Sequence, residues 1–260
     1  MKQYLYSLES EWIKTRRSTA SWLVIAGGFF IPLIVISMRL LKPASLASVY
    51  KAADFWERTF VQNWQVMAFF LLPMGIILAA SLITQLEYRN NTWKQLHTTP
   101  QKFSTVFFAK LSVIILMMLQ FFVFFNIGIY LSAAVPAWIY RDISLPANSF
   151  PYLFFLQKNA IFFVDCLPII AIQYLVGLQF KNFLVPLGVG IGLLVAASFA
   201  VSWEYGYMVP YTYSLFNFFE MSSGKQGIYP AVNFHLVAAG YFVTCTIASY
   251  ILYINKKDKC

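Results

Sequence analysis

The chain has 260 residues, of which 60% are hydrophobic, 19% aromatic and 11% charged, against about 25% charged in an ordinary soluble domain. Those proportions exclude a water-soluble globule, a disordered chain, a charge-patterned coiled coil and a disulfide scaffold, and they leave an all-α polytopic membrane protein. The net charge of +9 then reports membrane orientation; no basic recognition motif accompanies it, so nucleic acid is not expected as a partner.

In chain order, residues 1–18 predict an amphipathic helix. Leu5, Leu8 and Trp12 recur at helical spacing with Lys2, Glu9 and Glu11 between them, which fits an interfacial elbow better than a solvated tail. Six stretches then reach the ~20 apolar residues of a spanning helix: Thr19–Leu41, Trp64–Leu86, Val106–Val135, Pro151–Leu178, Leu184–Trp203 and Val232–Ile254. The first exceeds the apolar core of a signal peptide and reads as a retained span. The third overshoots a ~30 Å hydrocarbon layer at ~1.5 Å per residue, so it should tilt or project. The whole chain, residues 1–260, forms a single transmembrane domain.

Basic residues set the direction. With the N-terminus in the cytoplasm, twelve Lys and Arg lie inside and seven outside, the outer set being Arg39, Lys42, Lys51, Arg58, Arg141, Lys158 and Lys225. Both termini are therefore expected in the cytoplasm. Trp22, Trp64, Trp138 and Trp203 fall near predicted span ends, where indole rings favour the headgroup zone.

Two segments outside the spans stand out. Residues 87–105 form a polar cytoplasmic stretch in which Trp93 stands among charges, a form suited to docking because an aromatic ring buries large area at small entropic cost. Residues 204–229 place Leu215, Phe216, Phe218 and Phe219 in a run too short to span. A re-entrant or interfacial outer helix is expected there.

Ionisable and amide side chains within spans mark candidate sites. Asp165 is the only acidic residue deep in a predicted span, and Lys158, two turns earlier, is too far for direct pairing. Asp165, Gln173 and Asn126 are candidate pathway or interhelical groups; Gln120 and His235 are further hydrogen-bonding candidates, the latter read as an interfacial polar residue. Pro32, Pro73 and Pro168 interrupt helical ladders, and Gly188, Gly190 and Gly192 permit close helix approach. Cys166 and Cys245 read as buried small apolar residues, and Cys260 ends the chain. No phosphate loop, zinc-protease motif or nucleophile elbow is present. No catalytic or metal site is expected.

The opening Glu9-Ser10-Glu11-Trp12-Ile13-Lys14-Thr15-Arg16-Arg17-Ser18-Thr19-Ala20-Ser21-Trp22, the stretch Glu87-x-Arg89-x-x-Thr92-Trp93-Lys94-Gln95-Leu96 with Pro100, and the Phe107-Phe108-Ala109-Lys110-Leu111 entry into span three resemble one family. It is the six-span permease subunits of type-2 ABC exporters, closest to the lantibiotic and bacitracin self-immunity group. The resemblance implies a permease of the bacterial cytoplasmic membrane that exports an amphipathic substrate such as a peptide antibiotic or lipid. It implies a coupling helix in which Glu87, Arg89, Thr92, Trp93, Lys94 and Leu96 meet a separate ABC ATPase. ATP and Mg would then be bound by that partner and no cofactor by this chain. A homodimer or heterodimer of permeases in lipid is implied as well. Asn91 stands where the family often has Gly. The alternatives are a nonconducting sensor or assembly subunit of an ABC complex, and a stand-alone channel or membrane enzyme.

Overall fold

The computed structural model describes residues 2–89, 102–140, 143–146, 148–223 and 232–255, and every regular element among them is helical. Helix α1 is Lys2–Arg16, α2 Thr19–Leu41, α3 Pro43–Tyr50, α4 Phe55–Val66, α5 Leu72–Arg89 and α6 Phe103–Ile139. Helix α7 is Tyr152–Gln179, α8 Leu184–Ala200, α9 Tyr213–Ser223 and α10 Phe234–Asn255.

Among the described residues, five continuous helical stretches are long and apolar enough to cross a membrane: Thr19–Leu41, Phe55–Leu86, Phe103–Ile139, Tyr152–Gln179 and Phe234–Asn255. The expected fifth span is the apolar α8, whose 17 residues reach ~25 Å, just under the ~30 Å hydrocarbon layer. The third stretch is longer than expected. Its 37 residues make a rod of ~55 Å, which exceeds the same layer.

The second stretch starts nine residues before the expected Trp64, at Phe55, and contains a widened π turn over Met67–Leu71. Pro73 follows at once in the first turn of α5. Its ring excludes the carbonyl four residues earlier, at Phe69, and the widened turn accommodates that loss. The early start corrects the expectation for Trp64. Its ring is fully buried, stacked on Phe162 with centroids 3.7 Å apart and edge-on to Phe125 at 5.3 Å. Trp22, Trp138 and Trp203 are exposed as expected.

Helix α1 packs on α6 through Ser7, Glu11 and Thr15, spaced by four. Tyr4 Oη and Ser112 Oγ are 2.7 Å apart. The expected stripe is only partly inward: Leu8 and Trp12 pack against the core, whereas Leu5 is 56% exposed, as are Tyr6 and Ile13 on the outward side. Polar groups turned inward and apolar groups outward suit a helix beside lipid, because the inward groups find protein partners.

Glycines permit close approaches between helices. A Cβ at Gly128 on α6 would meet Pro32 Cγ at 2.7 Å and Cβ at 2.8 Å. Within the triplet of α8, only Gly190 is tight, against Gln173 and Ile77; Gly188 and Gly192 have open space. Because the Pro32 ring has no rotamer by which to retreat, Gly128→Ala is expected to destabilise the protein by about 1–3 kcal/mol. Gly188→Ala should be neutral or better, and thermal unfolding of the two detergent-solubilised variants compares them directly.

Candidate functional site

Of the residues singled out within the spans, Asp165 and His235 meet where α7, α9 and α10 come together, whereas Asn126 and Gln173 are bonded elsewhere along α7. Helix α7 packs along α10 more extensively than on any other element. Asp165, fully buried at the middle of α7, has its Oδ1 2.6 Å from Nδ1 of His235 in the first turn of α10. The contact puts Asp165 level with the start of α10, whose 22 residues make a ~33 Å rod. The carboxylate is thus near one end of the apolar layer that α10 defines, which lowers the cost of keeping a polar pair there.

Helix α9 closes the site. Its first two turns bury Tyr213, Ser214, Leu215, Phe216, Asn217 and Phe218 against the bundle, so the four apolar residues expected to avoid water do so, apart from a half-buried Phe219. Asn217 lies against the Asp165 carboxylate, and Glu220, one turn on, adds a second acidic charge in range of Asp165 and His235. Asp165 Oδ2 and Asn217 Nδ2 are an acceptor and a donor without hydrogen-bond partners, both buried.

Two further bonds are made along α7, one on either side of Asp165. Gln173 Nε2 donates to Tyr211 Oη at 2.7 Å, deep between α7 and the segment before α9; burial pushes the Tyr211 phenol upward, so it stays protonated. Asn159 Nδ2 donates to Asn126 Oδ1 at 2.9 Å and joins α7 to α6. Asp165, Gln173 and Asn126 are therefore all interhelical. No bond to Lys158 is formed by Asp165 among the described residues.

His235, a hydrogen-bonding candidate from the sequence, has Asp165 as its partner. Nothing local announces it, since the two residues are 70 positions apart. The available signal was that each is the sole residue of its kind in its apolar stretch, and a buried acid needs a donor.

A second ionic site joins the elbow to the bundle. Lys110 is 3% exposed; its Nζ is 4.0 Å from Glu11 Oε2, and Lys14 Nζ is 2.5 Å from Glu11 Oε1. At the far end of α5, Gln85 Nε2 donates to the Phe180 carbonyl at 2.6 Å. Glu87 and Arg89 belong to the last turn of α5, while Thr92, Trp93, Lys94 and Leu96 lie outside the described residues.

Between α2 and α5, floored by α6, runs an apolar groove of about 260 Å³ lined by Leu23, Gly27 and Phe30, by Met74, Gly75 and Ala79, and by Met117 and Phe121 among others. A Cβ at Gly75 would meet nothing within 4 Å. Among the described residues, no three His, Cys, Asp or Glu side chains converge as metal ligands.

The family model described as ABC-2 family transporter protein matches residues 7–197, which run from α1 into α8 and include the polar stretch after α5. The chain belongs to the ABC-2 transporter family. Neither the curated proteins nor the solved structures yield a significant match. Membership makes this multi-pass chain a membrane component of an ABC transporter that works with an ABC ATPase.

The Asp165–His235 bond has an asymmetric energetics. Removing His235 strands a fully buried carboxyl, whereas Asp165→Asn keeps an acceptor for the ring N–H, and His235 is about one-third exposed. We expect His235→Ala to cost about 3 kcal/mol, and Asp165→Asn much less. Asp165→Asn introduced into His235→Ala should recover part of the loss. Thermal unfolding in detergent measures all three, and equal losses in the single variants would remove this account of the pair.

Proposed function

We propose that the chain is the permease of an ATP-driven exporter for an amphipathic substrate, such as a peptide antibiotic or a lipid. The groove between α2 and α5 carries this reading, because its wall is apolar along its length and suits an acyl chain or apolar side chains. In this reading α8 also crosses the membrane, as the fifth of six spans, residues 204–229 form an outer re-entrant segment, and both termini face the bacterial cytoplasm. A second permease, identical or related, completes the transporter, and ATP and Mg act on the ATPase alone.

Gly75 allows a direct test of the groove. Leu at this position enters open space and improves helix propensity by up to about 1 kcal/mol, so Gly75→Leu should assemble normally while obstructing passage. We expect strongly reduced transport of an amphipathic peptide antibiotic by reconstituted permease–ATPase complex, with basal ATP hydrolysis retained. Parental transport by a properly assembled Gly75→Leu protein would exclude the groove from the pathway.

Coupling is proposed to run through residues 87–105. The segment joins α5, whose Gln85 is bonded to the end of α7, to α6, whose Lys110 is paired with α1. A displacement applied to it would reach α5 and α6 directly, and α7 and α1 through bonds already formed. Trp93 and Leu96 present apolar groups for the ATPase, flanked by Lys94. Trp93→Ala is expected to weaken the permease–ATPase complex by about 2 kcal/mol without affecting membrane insertion. Co-purification and substrate-stimulated hydrolysis check it together, and normal values for both would leave Trp93 without a coupling role. A nonconducting sensor would show coupled hydrolysis but no transport in the same reconstitution.

A further inference from the structure

Arg39 stands in the last turn of α2, held by neutral groups. Its Nη1 donates to the Ser132 carbonyl at 2.8 Å and the Ser132 hydroxyl at 3.2 Å, and its Nη2 to Thr59 Oγ1 at 2.8 Å. The guanidinium carbon is 5.1 Å from the Phe55 ring centroid and 5.9 Å from that of Tyr50, so aromatic rings flank the cation. Among the described residues no carboxylate is bonded to it. The positive charge is fixed by these contacts and not neutralised, in a place where isolated cations are costly.

Beside Arg39 opens a pocket of about 360 Å³ whose wall includes Ser48, Phe55, Arg58, Thr59 and Gln62, and no Asp or Glu. Arg58 is braced by Asp54 at Nε, 2.5 Å away. Two guanidinium groups, two hydroxyls and an amide therefore border one space. Guanidinium forks match the oxygens of a phosphate, and each such charge-assisted bond is stronger than a neutral one. The surrounding sequence is basic as well: residues 39–58 hold Arg39, Lys42, Lys51 and Arg58 against Asp54 and Glu57, an excess that runs against the inward bias of basic residues in the orientation proposed above.

We propose that this pocket binds a phosphate group between Arg39 and Arg58. Because Arg39 ends the Thr19–Leu41 apolar stretch, the pocket opens at headgroup depth, where an anionic phospholipid offers its phosphate directly; inorganic phosphate from solution presents the same chemistry. The site is separate from the groove and from the coupling segment, so it stands independently of the transport reading.

The full-length permease in detergent provides the test. Phosphatidylglycerol and phosphatidylcholine retention is measured by native mass spectrometry, and stabilisation by sodium phosphate by thermal unfolding. Phosphatidylglycerol should bind in preference to phosphatidylcholine, and Arg58→Gln and Arg39→Gln should each weaken it about tenfold, the loss of one charged hydrogen bond. Arg58 is largely exposed, so Arg58→Gln carries the test if Arg39→Gln fails to fold. Lys51→Gln, which alters a nearby charge outside the pocket wall, should leave affinity unchanged. Stabilisation by inorganic phosphate that Arg58→Gln removes would assign the solution source, and phosphatidylglycerol retention without it the lipid source; both uphold the site. Equal affinity in the parent and Arg58→Gln, an equal loss in Lys51→Gln, or no binding of either ligand by the parent would overturn it.

Discussion

A polar side chain inside lipid has no water to turn to, so it must find its partner on another helix. That requirement organises this bundle more than apolar contact does, since lipid tails satisfy an apolar face as well as another helix would. Asp165 with His235, Gln173 with Tyr211, Asn159 with Asn126, and Glu11 with Lys110 each join elements remote in the chain. Arg39 does the same between α2, α4 and α6. Each bond is modest, about 0.6–2 kcal/mol in a membrane, but breaking one strands a buried group, and this penalty holds the arrangement unique.

Aromatic and aliphatic packing fills the space between these bonds. Trp64 stacked on Phe162, with Phe125 edge-on, fills the space between α4, α6 and α7. Gly128 and Gly190 let backbones approach where a methyl would collide with Pro32, Gln173 or Ile77. By contrast the groove between α2 and α5 stays open, with Gly75 contributing space.

Several local readings were carried through intact because they depended on composition alone. The apolar run of α2 begins and ends where expected, α6 is too long for the bilayer, and residues 215–218 are buried. Others turned on neighbours that sequence spacing does not identify. Trp64 looked like a boundary residue because its apolar run starts there, yet the helix had begun at Phe55, whose ring packs on Tyr50 of α3. Glycine spacing drew attention to Gly188 and Gly192, whereas the close approach occurs at Gly190, a position decided by where Gln173 and Ile77 stand.

Hydropathy is a local property, and from it follow an all-helical membrane chain, the approximate spans and the polar stretch after α5. Pairing is not local. His235 became the partner of Asp165, and Glu11 of Lys110, only when helices 70 to 99 positions apart packed side by side. The inward face of α1 was likewise chosen by the partner awaiting Glu11 on α6, against the apolar stripe that its own periodicity favours. The physical reason is that a transfer free energy belongs to each residue and sums along a segment, while the cost of a buried charge or amide is decided by the geometry of whatever other helix supplies its bond.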